Sequence, residues 1–266
     1  MKVYRRLLRA EGAAALRSNS PADSRVAEAD VSSLPETVQR YLRFMGVAGR
    51  PRDWSFRARF EGRFRLRPGQ RWMPMHAWQY NSAAEVARIF VMRISWAGIV
   101  PMVGIDTYLR GKGRMSGKLL NVVPVADGRG PEFDVGELTT WLNDAILVAP
   151  SMLLGPATSW SDVDHDCFEV TLRDAGLSVS ARVWLDERGA PCDFSSTDRY
   201  AALPGGPVQA RWTTPIAGWD IAGERPLPIG GSAVWHLAEG PFSYAEGRFV
   251  SGTVEYNVAP GNSDSG

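Results

Sequence analysis

The stretch WSFRARFEGRFRLR, residues 54–67, alternates between apolar or small side chains and polar or charged ones. A period of two residues is typical of a β-strand that buries one face and exposes the other. The buried face would carry Trp54, Phe56, Ala58, Phe60, Gly62, Phe64 and Leu66. The opposite face would carry Ser55, Glu61 and the arginines Arg57, Arg59, Arg63, Arg65 and Arg67. The pattern therefore predicts a half-buried strand of an antiparallel sheet.

Other apolar segments of strand length occur along the chain, separated by short breaks that contain glycine or proline. Connections of this length favour antiparallel pairing of consecutive strands. A single sheet with so many strands should curl. We predict strands at residues 71–80, 86–96, 102–109, 114–123, 167–173, 177–185 and 191–200, and further strands near residues 209–214, 232–238 and 248–256.

Two segments instead show helical periodicity. In SSLPETVQRYLRFMGV, Ser33 and Glu36 have the spacing of a capping box, and an apolar stripe follows them. In DVGELTTWLNDAILVAPSMLLG, Asp134 and Glu137 have the same spacing, and Pro150 should end or kink the helix. A third, basic helix is predicted at the N-terminus, where its small apolar area favours a loosely docked end.

These elements predict an α+β fold dominated by one large curled antiparallel sheet, a half-barrel, with a few helices packed on or across it. We divide the chain into an N-terminal basic helix and linker (residues 1–31), a single globular domain (residues 32–258) and a disordered tail (residues 259–266). A helix across the mouth of the half-barrel would leave an apolar cavity on the concave side.

The composition is that of an ordinary globular protein, with 44% hydrophobic and 22% charged residues. The formal net charge is +1, so the whole molecule has no field that would hold polyanions. The N-terminus lacks the continuous apolar core of a signal peptide, and no window approaches the roughly 20 apolar residues that span a bilayer. We therefore expect a soluble, cytoplasmic protein.

The arginine face of residues 54–67 has two interpretations. The first is a solvated convex face of the sheet, because charged residues dominate exposed sheet faces. The second is contact with phosphate or anionic lipid, which needs several cations that are not neutralised locally. RNA-binding sheets place aromatic rings on the same face as the cations, whereas here the aromatics lie opposite. We therefore expect no nucleic-acid partner, while peripheral contact with an anionic membrane stays open.

No motif for a metal or cofactor is found. The three histidines have no zinc-site spacing, and the acidic cluster DVDHD at residues 162–166 lacks the glycine and distal glutamate of an EF-hand loop. We interpret the cluster as a solvated loop and expect no metal and no cofactor. Cys167 and Cys192 are too few for a disulfide framework, and whether they pair is left open.

A few polar residues could line the apolar cavity. Asp106 and Tyr108 should point to the same side of their strand, and Glu137 and Asp144, seven residues apart, share a helix face. Arg199 ends a strand. A carboxylate pair facing an arginine in a dry cavity could do acid–base work. The alternative is structural, with Glu137 as a capping residue and Asp106 paired with Arg199.

The chain contains, in order, LPETVQRYL, the Trp72–Trp78 pair, DTYLRGKGRM, DVGELTTWLNDAILVAPSMLL with Trp160, RWTTPIAGW and VEYN. Their order and spacing, over about residues 33–258, resemble a bacterial family known only as a domain of unknown function. Its members typically carry a glutamate at the position of Asp144 and an aromatic residue near Ile146, and many begin with a membrane helix. The resemblance implies a fold similar to bacterial lipoprotein carriers, in which a half-barrel covered by helices holds acyl chains.

We expect non-catalytic binding of a hydrophobic or amphipathic small molecule, a lipid among them, in the concave apolar face. The wall would be formed by Trp72, Trp78, Trp96, Trp141 and Trp235, and a polar head would be oriented by Asp106, Tyr108 and Arg199. Two alternatives stay open: an enzyme that uses Asp106 or Glu137 as acid or base, and a peripheral membrane protein that uses its arginine face. The ligand and the oligomeric state are not indicated by the sequence.

Overall fold

One antiparallel sheet of 15 strands organises the molecule, and its strand order does not close into a ring. The computed structural model describes residues 2–17, 24–96, 100–119, 123–203 and 206–261. Four α-helices are present in these ranges, and one of them lies on the concave side of the sheet. The predicted fold class, a β-dominated α+β half-barrel, is confirmed.

The elements, in chain order, have the following bounds. The helices are α1 (Lys2–Ala14), α2 (Glu28–Ser32), α3 (Glu36–Phe44) and α4 (Pro131–Val148), and a short 3₁₀ helix covers Pro150–Leu153. The strands are β1 (Ser55–Phe64), β2 (Met73–Ser82), β3 (Ala87–Trp96), β4 (Val100–Leu109), β5 (Lys112–Leu119), β6 (Val123–Arg129), β7 (Thr158–Asp164), β8 (Cys167–Asp174), β9 (Leu177–Leu185), β10 (Pro191–Ser196), β11 (Tyr200–Leu203), β12 (Gly206–Gln209), β13 (Arg211–Thr213), β14 (Ile216–Asp220), β15 (Leu227–Leu237), β16 (Gly240–Phe249) and β17 (Glu255–Tyr256).

The sheet consists of two meanders joined through the C-terminal strands. The strand order is β6-β5-β4-β3-β2-β1-β16-β15-β13-β10-β9-β8-β7, with β14 on β15 and β17 on β1. Strands β11 and β12 form a separate hairpin. Because β15 and β16 lie between the two meanders, residues from both halves of the chain face the same concave side.

A row of glycines crosses the middle of this sheet. Gly62 of β1 is in register with Gly247 of β16, which is in register with Gly231 of β15. A Cβ atom added to Gly62 would lie 2.0 Å from the carbonyl oxygen of Glu246. Glycine within strands marks a close approach of backbones or a bend. Here it lets β1 and β16 approach each other where the two meanders join.

Helix α4 does not begin with the predicted capping box. Its N-cap is Gly130, and the Asp134 carboxylate instead accepts hydrogen bonds from the Gly113 backbone N–H (2.7 Å) and the Lys112 Nζ (2.9 Å) of β5. Glu137 turns to Arg88 on β3 (3.0 Å). The capping interpretation of Asp134 and Glu137 is therefore wrong, because both carboxylates anchor the helix to the sheet.

The capping box predicted for α3 is also absent. The helix begins at Glu36 with Pro35 as N-cap, and no side chain of the same segment caps it. Its free backbone N–H at Thr37 donates to Asp162 Oδ1 of β7 (3.2 Å), and the Thr37 hydroxyl donates to the Asp164 carbonyl (3.2 Å). The acidic cluster at residues 162–166 thus contributes a cap from a distant strand.

Helix α1 packs on the convex face of the sheet, against β2 and β3. Leu7 and Glu11 are completely buried, and Tyr4 contacts the Trp78 ring with 4.6 Å between ring centroids. Glu11 forms a 2.6 Å ion pair with the buried Arg57 of β1. The expectation of a loosely docked N-terminal helix is therefore wrong, because the helix covers apolar surface and neutralises a buried charge.

The cations of the arginine face have local contacts of different kinds. Arg59 lies over the Trp78 ring, with its guanidinium carbon 5.9 Å from the centroid, and Arg63 pairs with Glu246 at 2.5 Å. Arg65 donates to the Ser243 carbonyl at 2.7 Å. Arg63 is thus paired with a carboxylate, whereas the partners of Arg59 and Arg65 are a ring and a carbonyl, so the positive charge of the face is neutralised only in part.

The two cysteines are free thiols, Cys167 buried and Cys192 exposed. Within the described ranges, no helix has both the length and the apolar character needed to span a bilayer. Parts of the predicted linker and tail, residues 18–23 and 262–266, lie outside the described residues.

Candidate functional site

A cavity of about 600 Å³ lies on the concave side of the sheet, partly enclosed by α4. Strands β1–β5 line it on one side, and the C-terminal strands β13–β16 line it on the other. Its volume falls within the range of about 300–1,000 Å³ that is typical of small-molecule sites. The apolar wall is formed chiefly by four phenylalanines and four methionines, namely Phe60, Phe64, Phe90, Phe249, Met75, Met92, Met102 and Met115.

The alternation along β1 and β3 explains how this wall forms. Phe60 and Phe64 belong to the dry face predicted for β1, and Phe90 and Met92 of β3 also line the cavity. Phe60 contacts Phe249 of β16 with 4.4 Å between ring centroids. The prediction of an apolar concave face therefore holds for this part of the sheet, and phenylalanine and methionine carry it instead of tryptophan.

One end of the cavity contains a buried ionic cluster. Arg88 of β3 is 5% exposed and pairs with Glu137 at 3.0 Å and with Asp144 at 2.8 Å. The Gln79 amide also donates to Asp144 at 2.6 Å. Because Glu137 and Asp144 are two turns apart on one face of α4, a single guanidinium reaches both carboxylates. The cluster fixes α4 against the sheet and gives the cavity a polar end.

Asp106 of β4 lies at this polar end, in register with Phe90 and Met115. Its Oδ1 atom is buried and has no hydrogen-bond partner in the described part of the chain. Burial raises the pKa of Asp106 to about 7, the negative charge of Glu137 adds to the rise, and the Arg88 and Arg199 guanidinium groups oppose it. This carboxyl therefore changes charge close to neutral pH.

Arg199 precedes β11 and also lines the cavity. It is 7% exposed, and its guanidinium carbon lies 4.2 Å from the Trp212 ring centroid and 5.2 Å from that of Trp235. One of its terminal nitrogens donates to the Tyr244 hydroxyl at 3.5 Å, while the buried Nε has no partner among the described residues. The site thus holds a buried cation with an unused donor.

The protonation of Asp106 should make the free energy of unfolding depend on pH. Between its ordinary pKa of 3.8 and its folded-state pKa of about 7, the folded protein holds a proton that the unfolded chain has lost. The free energy of unfolding therefore decreases as the pH rises through this window. We expect Asp106→Asn to gain on the order of 2 kcal/mol relative to the wild type between pH 5 and pH 8.

Urea denaturation of both proteins across this pH range measures the difference. Asp220→Asn, at an exposed position, is the control and should follow the wild type at every pH. A constant difference between Asp106→Asn and the wild type would show that Asp106 does not titrate in this window.

Most of the tryptophans predicted to form the wall lie elsewhere. Trp78 is on the convex face under α1, because it alternates with the inward-facing Gln79. Trp72 lies beside Arg63 and Arg65 ahead of β2, and Trp141 is buried in the main core, where its indole N–H donates to the Ser82 carbonyl. None of these three residues lines the cavity.

Trp235 is buried next to the cavity and contacts Arg199, but it does not line the cavity; its strand neighbour Trp212 does. The side chain of Trp96 lies outside the described residues. Tyr108 faces the same concave side as Asp106 but lies in the core, and its hydroxyl donates to Asp174 at 2.6 Å. Burial and this hydrogen bond raise the pKa of Tyr108. Of the seven predicted residues whose side chains the structure describes, Asp106 and Arg199 line the cavity itself.

Arg88 and Trp212 were not among the residues predicted for the site. The sequence does contain a signal for Arg88. In a strand it lies on the same face as Phe90 and Met92, and it is thus a charge on an apolar face. Such a residue is rarely buried without a partner. Trp212 has no comparable signal, since only the pairing of β13 with β10 and β15 brings it to Arg199.

The fold and the site define a class of protein, an open β-sheet half-barrel with an internal apolar cavity that ends in buried charges. Residues 24–247 match the model of a family of unknown function, DUF6544, and the chain belongs to this family. The resemblance proposed from the sequence is thereby confirmed.

Solved structures with similar chain paths share little sequence with this protein. A LolA superfamily protein from Nitrosomonas europaea is 12% identical, with 87% of this chain and 94% of that chain covered and a TM-score of 0.41. A DUF1329 family protein from Desulfovibrio piger is 8% identical, with 88% and 95% covered and a TM-score of 0.43. No curated protein matches the chain.

Proposed function

We propose that this protein binds an amphipathic small molecule, with the apolar tail among the phenylalanines and methionines and the head group at Asp106 and Arg199. The proposal rests chiefly on a cavity of about 600 Å³ whose wall is apolar and whose polar end contains two buried atoms, Asp106 Oδ1 and Arg199 Nε, without a hydrogen-bond partner among the described residues. Ligand sites characteristically combine a mostly apolar wall with a few convergent polar groups.

The methionines support a flexible tail as the apolar part of the ligand. Met75, Met92, Met102 and Met115 are unbranched and adapt their shape to a partner. Gly104, paired with Gly117 of β5, leaves room for the Met92 side chain, since a Cβ atom there would lie 2.7 Å from the Met92 methyl carbon. A wall of this kind is better suited to a ligand with a flexible alkyl chain than to a ligand with a rigid ring system.

Filling the cavity should block binding. Ala245 of β16 lines the cavity, so Ala245→Phe places a ring within it. We expect the affinity for decanoic acid and for decanol to fall by roughly tenfold or more. Displacement of a fluorescent fatty-acid analogue measures both affinities, and circular dichroism checks that the variant is folded.

The matched control is Ala238→Phe, the same substitution at an exposed position between β15 and β16. It should bind like the wild type. Equal binding by Ala245→Phe and the wild type, or no binding of either compound by the wild type, would contradict the proposed function.

A second candidate function is proton transfer on the bound molecule. The observation that favours it is the pKa of Asp106, raised to about 7 by burial, because acid–base groups work best when their pKa lies near the working pH. Under this function, Asp106→Asn would abolish turnover of a bound amphiphile and leave its binding in place. The arginine face gives less support for a membrane-docking function, because Arg57 and Arg63 are already paired with carboxylates.

A further inference from the structure

Two buried polar atoms of the cavity have no partner. Within the described ranges, three buried side-chain atoms lack a hydrogen bond, and two of them, Asp106 Oδ1 and Arg199 Nε, belong to residues that line the cavity. The two groups are close enough for the Arg199 charge to lower the pKa of Asp106. Buried polar groups are normally paired, so this pair calls for a ligand atom that accepts and another that donates.

We propose that the head group is a carboxyl group, which shares one proton with the Asp106 carboxyl while its other oxygen accepts a hydrogen bond from Arg199 Nε. This inference rests on the proposed function and names its ligand class, a medium- or long-chain fatty acid. The ligand carboxyl and Asp106 then form a carboxylic acid–carboxylate pair, so that one proton satisfies both groups.

The charges around Asp106 favour this head group over others. Asp106 is faced by Arg88 from β3, by Glu137 and Asp144 from α4 and by Arg199 from the segment before β11. Arg88 is already paired with both helix carboxylates, whereas Arg199 forms no ion pair among the described residues. A phosphate would add a dianion beside three carboxyls, and an ammonium would lie beside two guanidinium groups. A guanidinium binds a planar carboxylate well.

The proton balance sets the pH dependence of binding. Below pH 7, Asp106 carries the proton and the ligand enters as the carboxylate, so no proton is exchanged with solvent. Above pH 7, both groups are ionised when free, and the complex must take up one proton. The dissociation constant should therefore change by no more than about twofold between pH 6 and 7 and rise toward a limit of about tenfold per pH unit above that.

Decanoic acid and decanol, titrated into the wild type from pH 6 to pH 9, test the inference. We expect the dissociation constant of decanoic acid to rise steeply above pH 7. Decanol should bind more weakly, with a dissociation constant that does not depend on pH. Asp106→Asn should bind the acid without the steep rise, because an amide donates to the carboxylate without taking up a proton. Arg199→Gln should weaken the binding of decanoic acid more than the binding of decanol.

The outcomes separate this inference from the proposed function. Equal or tighter binding of decanol, a flat profile for decanoic acid, or an unchanged slope in Asp106→Asn would overturn the carboxyl assignment and leave amphiphile binding standing. Failure of both compounds to bind to the wild type, or binding of both that Ala245→Phe does not weaken, would overturn both.

Discussion

Arg88→Met is expected to lower the free energy of unfolding by about 3–5 kcal/mol at pH 8. Arg88 is buried and pairs with both Glu137 and Asp144, so its removal leaves two carboxylates in the protein interior without their ion-pair partner. Methionine keeps much of the side-chain volume, and the loss therefore reports on charge and not on packing. Urea denaturation followed by tryptophan fluorescence measures it.

The loss should shrink as the pH falls. Burial already raises the pKa values of Glu137 and Asp144 in the presence of Arg88. Without the guanidinium these carboxyls should take up protons more readily, so the deficit at pH 5 should be smaller than at pH 8. Arg93→Met, the same substitution at an exposed position of β3, should change stability by less than about 0.5 kcal/mol. Equal losses for the two variants would refute the buried cluster.

Glu11→Gln is expected to cost about 3 kcal/mol, the lower end of the range for breaking a buried ion pair. Glu11 is completely buried and accepts two hydrogen bonds from Arg57, at 2.6 and 3.2 Å. Arg57 keeps Glu255 at 3.4 Å and the Ala259 carbonyl at 3.1 Å, which limits the loss. Because α1 covers β2 and β3, the change should appear first as undocking of this helix.

Hydrogen–deuterium exchange measures that undocking directly. Residues 2–14 and the convex face of β2 and β3 should lose protection in Glu11→Gln, while α4 keeps it. Glu187→Gln, at an exposed turn position, should leave protection unchanged. Protection of α1 that is already absent in the wild type would mean that the helix is not docked, as its composition alone suggested.

The architecture could be predicted from local patterns because most strands have one dry face. The alternation of residues 54–67 locates β1 to within a few residues, and residues 177–185 coincide with β9. Strand β7 was not predicted because it lies at an edge of the sheet with almost every side chain exposed, which leaves no apolar period to detect. A strand can therefore be predicted from the sequence when one of its faces is buried, because burial produces the apolar period.

The helix anchors could not be predicted because their partners are distant in the chain. Asp134 and Glu137 fit a capping box by spacing alone, yet Asp134 bonds to Gly113 and Glu137 to Arg88. Three-residue spacing cannot distinguish a cap from a tertiary anchor. The same holds for α3, whose cap comes from Asp162.

The polar end of the cavity was partly predictable. Asp106 and Arg199 were identified as polar residues on strands that face the interior, and both line the cavity. The positions of the tryptophans could not be predicted, because a large aromatic ring packs equally well in a core, at a helix interface or in a pocket. Trp78 serves a helix interface and Trp141 the core, and neither environment follows from residue type.

A crystal structure of the protein with decanoic acid tests the central claim most directly. The account predicts electron density for the alkyl chain against the wall that contains Phe60, Phe90 and Phe249, with the carboxyl group within hydrogen-bond distance of Asp106 and Arg199. A cavity filled by the protein's own phenylalanines and methionines, with the acid absent from it at saturating concentration, would contradict the account.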